Sequence, residues 1–470
     1  MNILDYFPFD SFRAGQDSVL SKLESNWDRY DVFVVRAPTG FGKSPTARAI
    51  QDWRLADGKG CIILTPNNLL RDQYLSDFEE LVTVRSQDDY WLKQYNMTER
   101  DFRQKIYKFG PKGSEYERDR RAVRLAGSSA VVNYHTYLSH KLYRDTVIVD
   151  EAHSLLGTLQ TMAARTIWRH IHGYPMMAAT LNEVREWLEP RRNHNGLYAK
   201  LWRETASLDG GTALQFGQDY YRGEPKPCLK LMPINVANEP PVFWPSRVRK
   251  LVLMSATIGP KDIEYMGLGT RRVIYIDVPS PIDAAQRPIH LVGVHNMSAA
   301  SQDANLEAMA TTLLELAEKQ PGKGFVHCTY DLAAKLKPWL NTHDRFIFHT
   351  RENKAEVYEK FYSAHPNGGK IMVGSGMYEG LDLKYDVARW QAMVKCPYPN
   401  LGNASNRWLL EHDPDYYNWQ TSKDIMQACG RICRAEDDEG HTFLLDSSFK
   451  TWYSKAIDLP AWFNDAMEVA

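Results

Sequence analysis

Val147-Ile148-Val149-Asp150-Glu151-Ala152-His153 is the stretch on which the reading of this chain turns. It has the form of a short apolar strand buried on both faces that runs into two adjacent carboxylates and a histidine. A central parallel strand does this when its carboxyl end opens into a ligand crevice. Paired carboxylates suit a hydrated magnesium ion and an attacking water, because magnesium takes hard oxygen ligands. The same residues also suit the acidic first turn of an ordinary helix. A phosphate cradle and charge-stabilising arginines elsewhere in the chain decide between the two.

Upstream, Val32-Phe33-Val34-Val35 leads into Arg36-Ala37-Pro38-Thr39-Gly40-Phe41-Gly42-Lys43-Ser44, which reads as strand, glycine-containing loop and helix start. Gly40 and Gly42 let the backbone turn tightly so that its N–H groups, with Thr39, face phosphate oxygens. Lys43 adds a point charge for the β- and γ-phosphates, and the Ser44 hydroxyl offers magnesium a ligand. Ala37 stands where such loops usually carry their first glycine, and Pro45 removes one backbone donor from the first turn. Ahead of this loop, Arg13 and Gln16 form an Arg-x-x-Gln whose amide could meet an adenine edge or simply open a solvated helix. Cys61-Ile62-Ile63-Leu64 is a second strand that ends in Thr65 and Pro66, where a phosphate chain could pass.

Two stretches interrupt the strand pattern. In 83–124, nine basic residues from Arg100 to Arg124 are interleaved with Tyr107, Phe109 and Tyr116. Such a pattern suits a single nucleic-acid strand, although acidic residues among them equally suit a solvated helical face. The second stretch, 155–244, reads as a mainly helical inserted subdomain with a Gly/Pro-rich exit at 223–227. The α/β pattern resumes at Leu251-Val252-Leu253-Met254-Ser255-Ala256-Thr257-Ile258, whose small hydroxyl end is placed to sense a γ-phosphate.

The second half repeats the alternation: a helix over 305–320, strands at 324–327 and 346–349, then a strand and glycine-rich turn carrying Glu379, Gly380 and Asp382. Last comes 424–434, read as a helix with Gln427, Arg431 and Arg434 at i, i+4 and i+7 on one face. Two guanidinium groups aimed together are what a transferring phosphoryl group needs. Cys429 and Cys433 share the same predicted helix but lack further ligands at zinc spacing, so packing is their expected role.

Bulk properties set outer bounds. At 470 residues the chain needs two or more domains. Its 43% hydrophobic and 24% charged content is ordinary for a soluble protein, and a net charge of −1 leaves any nucleic-acid surface local. Six scattered cysteines imply no disulfide framework and fit a reducing cytoplasm. Neither a secretory signal nor a transmembrane run is evident, so no membrane role is expected.

The order of these motifs is far more specific than any one of them. The chain resembles superfamily 2 helicases, and within them the XPD/DinG type. The resemblance rests on Arg13-x-x-Gln16, the phosphate loop, Asn133-Tyr134-His135, Asp150-Glu151-Ala152-His153, Ser255-Ala256-Thr257-Ile258, Glu379-Gly380-Leu381-Asp382 and Gln427-Ala428-Cys429-Gly430-Arg431-Ile432-Cys433-Arg434.

That resemblance implies two RecA-like parallel-sheet domains, 1–258 and 259–470, with ATP in the cleft between them and both insertions in the first. It implies Lys43 and Ser44 on phosphate and magnesium, Asp150 on magnesium, and Glu151 activating water. His153 with Ser255, Ala256 and Thr257 would couple hydrolysis to motion, while Arg431, Arg434 and Gln427 reach the γ-phosphate. Glu379, Gly380 and Asp382 would line the cleft. Thr65, Pro66, Asn133, Tyr134 and His135 would meet nucleic acid.

The expected activity is ATP-dependent movement, usually 5′→3′, on single-stranded or forked DNA by a monomer. A protein-displacing translocase and an RNA helicase are the alternatives. Between the phosphate loop and Asp150 the chain holds only Cys61, so the four-cysteine iron–sulfur cluster usual in XPD enzymes is not expected. The second insertion is short for that family's arch.

Overall fold

The computed structural model describes residues 2–38, 40–174, 180–206, 208–209, 211–221, 223–239, 243–375 and 383–469. The chain divides into two units: Met1–Ala37, Phe41–Val278 and Asn403–Trp408 make the first, and Pro38–Gly40, Pro279–Gly402 and Leu409–Ala470 the second.

The first unit carries β1 (Val32–Arg36), β2 (Cys61–Thr65), β3 (Trp91–Leu92), β4 (Met97–Thr98), β5 (Ala130–Asn133) and β6 (Thr146–Asp150). These are followed by β7 (Arg165–Trp168), β8 (Thr212–Tyr221), β9 (Glu224–Pro233), β10 (Lys250–Met254) and β11 (Val273–Asp277). Six of them form one parallel sheet in the order β11–β1–β10–β6–β2–β5. Every residue of β2 and β6 is buried, as Val/Ile/Leu runs must be when helices cover both faces of a parallel sheet. β6 is hydrogen-bonded on both sides, to β10 and to β2, which makes the opening stretch a central strand.

The first unit does not stop at residue 258. β11 pairs with β1 from Val32↔Val273 to Arg36↔Asp277, and Arg36 Nη2 donates to Asp277 Oδ2 at 2.7 Å. The boundary therefore moves past Val278, because β11 completes the sheet edge beside the phosphate-loop strand.

The first insertion is a small antiparallel β3–β4 pair with helices Glu99–Lys105 and Glu115–Arg124. The second is mixed rather than mainly helical. Helices Leu181–Leu188 and Gly196–Thr205 pack through Val184, Leu188 and Leu201 on an antiparallel sheet in the order β7–β9–β8. The 223–227 stretch, expected as an exit, instead opens β9 of a hairpin whose last pair is Tyr221↔Glu224. Pro225 and Pro227 are tolerated there because β7 pairs with β9 only from Cys228 onward. The proline nitrogens thus cost no ladder bond on that side.

The second unit contains β12 (Ile289–His295), β13 (Gly324–Cys328), β14 (Phe346–Phe348), β15 (Ile371–Ser375), β16 (Trp390–Met393), β17 (His441–Asp446) and β18 (Met467–Val469). They form a parallel sheet in the order β14–β15–β13–β16–β17–β12–β18. Fully buried Trp390 sets the spacing between β13 and β16. A methyl on Gly324 would lie 2.3 Å from its Cε2, so that position takes only glycine without repacking.

Beside it, His327 bonds through Nε2 to Gln391 Oε1 at 3.0 Å, and burial pushes its pKa down to about 4. A folded-state pKa below the unfolded one favours the neutral ring, so this stability is complete above pH ~6.5 and fades as pH falls toward ~4. His327 should cost the second unit about 2 kcal/mol between pH 7 and pH 5. Amide-exchange protection of β13 should fall by that amount in the wild type and by clearly less in His327→Gln. An equal fall in both would remove His327 as its source.

Candidate active site

The strand order explains how distant residues meet. β10, which ends at Met254 just before Ser255, lies between β1, which feeds the phosphate loop, and β6, which ends in Asp150. Their carboxyl ends are level: Val35 pairs with Met254, and Met254 with Asp150. Ser255 N donates to Val35 O at 3.1 Å, carrying the register into the turn.

Gly40 and Gly42 have φ of +88° and +86°, and the helix Lys43–Ala56 starts directly after them. Left-handed backbone at both positions turns the chain back on itself and aims successive N–H groups inward. Gln16, 1% exposed, fixes this turn: its Nε2 donates to Phe41 O and Gly42 O, each at 3.0 Å. Its Oε1 accepts from Arg13 N at 2.7 Å. Gln16 thus holds backbone with both ends of its amide.

Beside this turn opens a cavity of about 510 Å³, lined among others by Phe7, Phe9, Arg13, Gln16, Gly42 and Phe78. Its size suits an aromatic base, and its rings offer apolar faces for one. Phe9 and Phe78 escaped the sequence reading because nothing local links residue 9 to residue 78.

At the end of β6 the chain turns through Glu151, which takes a left-handed conformation with φ 50° and ψ 46°. The turn sends the two carboxylates to different partners. Asp150, 2% exposed, points inward and accepts from the Tyr74 hydroxyl at 2.8 Å. Glu151 sits with Oε1 3.0 Å from Lys43 Nζ and Oε2 3.4 Å from His153 Nδ1. His153 Nδ1 also lies 2.9 Å from Ser255 Oγ, which accepts from Thr257 N at 3.1 Å. Lys43, Glu151, His153, Ser255 and Thr257 therefore form one connected polar line. Ala256, the middle residue of that turn, is half-buried.

Burial, reinforced by the Glu151 carboxylate, raises the pKa of Asp150 against the opposing pull of Lys43. Burial and Asp150 push the Tyr74 hydroxyl well up, so it stays a donor, and Ser44 is its further hydrogen-bond partner. Ser44 and Asp150, joined through the Tyr74 hydroxyl, offer the hydroxyl and carboxylate oxygens that magnesium would take. Tyr74 was missed because its partner Asp150 is remote in sequence.

The other candidates are less uniform. Thr65 is buried, its Oγ1 donating to Asn67 O at 3.1 Å, while Pro66 is half-exposed. Asn133 caps the helix Tyr134–His140 and donates to Asn68 Oδ1 at 2.8 Å; His135 is exposed. Tyr134 is 1% exposed and its hydroxyl donates to the carbonyls of Asp150 and Glu151. It is a brace for the carboxylate corner rather than a surface contact. Thr39, Glu379, Gly380 and Asp382 lie outside the described residues.

In the second unit the helix expected over 424–434 ends early. It runs Pro414–Cys429 with Gly430 as its cap, so Gln427 lies on the helix while Arg431 and Arg434 follow in a turn. The physical reason is Gln391, whose Nε2 takes the carbonyls of Ala428 at 3.0 Å and Cys429 at 3.3 Å and so ends the ladder. Cys433 has φ +54°, which removes the shared helical face assumed for both the arginines and the cysteines. Fully buried Asp438 then holds the turn: its Oδ2 accepts from Arg434 N at 3.2 Å and from Tyr385 N at 2.9 Å.

Two family models match. The helicase C-terminal domain covers residues 313–466, and the res subunit of type III restriction enzymes covers residues 10–182. Among solved structures, an XPD helicase aligns over 98% of this chain and 100% of its own, at 13% identity and a TM-score of 0.60. Xpd4 of S. tokodaii aligns over 97% and 100% at 13% identity and 0.59. An apo XPD aligns over 97% and 100% at 15% identity and 0.57. No curated protein matches. The chain carries helicase-type domains over residues 10–182 and 313–466, and it shares with the XPD structures a fold of two RecA-like parallel-sheet domains. Helicase domains of this kind imply a nucleotide hydrolase that acts on nucleic acid. Among the described residues no helix is long and apolar enough to cross a membrane.

A methyl on Gly42 would lie 2.4 Å from Gln16 Nε2 on a residue already at positive φ. Gly42→Ala should lower stability by roughly 1–2 kcal/mol and weaken nucleotide binding at least about tenfold. Thermal melting and titration with a fluorescent ATP analogue measure the two effects; unchanged affinity would separate the Gln16 clamp from nucleotide binding.

Proposed function

We propose that this chain is an ATP-dependent DNA helicase or translocase that moves 5′→3′ on single-stranded DNA. The observation that carries the proposal is the left-handed corner at Glu151. It gives one carboxylate to a buried oxygen cluster and the other to the phosphate-loop lysine and the Ser255 line. Such an arrangement suits phosphoryl transfer, in which positioning and electrostatics supply most of the rate.

In this reading the N–H groups around Gly40 and Gly42 cradle the phosphates and Lys43 neutralises them. Ser44 and Asp150 hold magnesium, which when bound draws charge from the phosphate oxygens. Glu151 orients and deprotonates the attacking water once phosphate has taken Lys43. His153, through Ser255 and Thr257, reports the γ-phosphate. Arg431 and Arg434 meet the charge that develops on the transferring group, with Gln427, and Asp438 keeps their turn in place. Pro66, Asn133 and His135 face the strand. A translocase that displaces bound proteins without unwinding is the second reading. With Cys61 buried in β2 and no other cysteine before Asp150, a four-cysteine cluster has no ligands there. Stoichiometric iron in the purified protein would contradict that part.

ATP hydrolysis measured with single-stranded DNA, single-stranded RNA and blunt duplex should rise most with single-stranded DNA. Stimulation by RNA alone would overturn the DNA assignment. Glu151→Gln should bind nucleotide as the wild type does while losing turnover by about 100-fold or more, the scale for removing a positioned base. Retained turnover would take the base role from Glu151.

A further inference from the structure

The two possibilities left open for the first insertion, a strand-binding surface and a solvated helix face, separate in the structure into different elements. The helix Glu115–Arg124 is the solvated face: Arg118, Arg121 and Arg124 are exposed on it among Glu115 and Asp119. The loop before it is different. Its residues Ile106-Tyr107-Lys108-Phe109-Gly110-Pro111-Lys112-Gly113, which follow the helix Glu99–Lys105, place Ile106, Tyr107 and Phe109 at 56%, 57% and 67% exposure. Lys105, Lys108 and Lys112 are interleaved with them, and no acidic residue occurs from 102 to 114. The Tyr107 and Phe109 rings meet edge to face with centroids 5.5 Å apart.

The loop is held from beneath. Glu99 is fully buried and Arg103 bridges it to Glu117, with Nε 2.7 Å from Glu99 Oε1 and Nη2 2.6 Å from Glu117 Oε1. Arg120 adds a bond to Glu117 Oε2 at 2.8 Å, and the Arg103 guanidinium lies over the Tyr116 ring. Gly110 rests on this network so closely that a methyl there would be 2.3 Å from Glu99 Oε1. Arg103 Nη1 donates to Lys108 O at 3.4 Å, and Tyr107 N to Phe102 O at 3.0 Å. A buried, charge-balanced ion cluster thus fixes the backbone while two rings and three lysines project to solvent.

We propose that the 106–113 loop grips single-stranded nucleic acid, with Tyr107 and Phe109 stacking on bases and Lys108 and Lys112 on the flanking phosphates. The proposal rests on the strand-dependent activity argued above and gives this insertion its role. A protein partner's apolar surface would have to bury the interleaved lysines unpaired. A single strand meets both chemistries at once, because every base has a stacking face and every link a charge. Charge agrees: 83–124 holds eleven Lys or Arg against seven Asp or Glu, in a chain whose net charge is −1. Lys105 is in addition paired with Asp101 at 2.9 Å and is assigned the smaller part.

The full chain, a labelled oligothymidylate and two double variants test this. Tyr107→Ala with Phe109→Ala should weaken binding about tenfold or more by fluorescence anisotropy, with the salt dependence nearly unchanged. Lys108→Ala with Lys112→Ala should reduce the slope of log affinity against log salt by about 1.4. Basal ATP hydrolysis and the melting temperature should stay at wild-type values in both. Tyr107→Trp with Phe109→Trp should restore binding, which a merely structural role would not predict. If the wild type binds the oligonucleotide and both alanine variants bind it equally well, the loop proposal falls and the helicase reading stands. If the wild type neither binds nor is stimulated by any nucleic acid, both fall.

Discussion

The site depends on one strained residue. Glu151 occupies the left-handed region, which costs a side-chain-bearing residue roughly 1–2 kcal/mol, and it does so at the end of a strand buried along its whole length. The corner persists because it is over-determined. The Tyr134 hydroxyl takes the carbonyls of both Asp150 and Glu151, and Ser154 Oγ donates to Glu151 O at 3.0 Å. In a continuing strand the two side chains would point to opposite faces of the sheet. The turn instead keeps both at the carboxyl edge, one against Tyr74 and one against Lys43. Backbone strain at such a position is part of how a site is set.

Around that corner the parallel sheet acts as a ruler. Inserting β10 between β1 and β6 places the Ser255 turn between the phosphate loop and the carboxylates, so a single hydroxyl is shared by His153 and the Thr257 amide. The second unit uses buried polar side chains to the same end. Gln391 terminates the helix Pro414–Cys429, and Asp438 pins the turn that follows it. In both units a fully buried polar group is satisfied by backbone, which makes it a positioning device instead of a penalty.

The motif-level reading of the site rests on signals that are local in the chain. Lys43, Ser44, Asp150 and Glu151 occupy a loop and a strand end, whose conformation follows from glycine placement and apolar runs. It failed where a long-range partner overrides local pattern. The i, i+4, i+7 spacing of Gln427, Arg431 and Arg434 is genuine, yet Gln391 and Gly430 end the helix after Cys429. Tyr134 reads as a surface aromatic in sequence and is a buried brace in the fold. The 212–233 segment reads as irregular because prolines and glycines mask a hairpin that only β7 makes into a sheet.

What the amino-acid sequence determined by itself was the pair of α/β halves, the phosphate loop and the carboxylate strand, because apolar runs and glycine turns act over a few residues. Only the tertiary structure decided where the first unit ends, which tyrosines hold Asp150 and Glu151, and how Arg431 and Arg434 are carried. Each of those rests on contacts between segments remote in sequence, such as β11 with β1 or Gln391 with Cys429, and burial rather than local preference selects them.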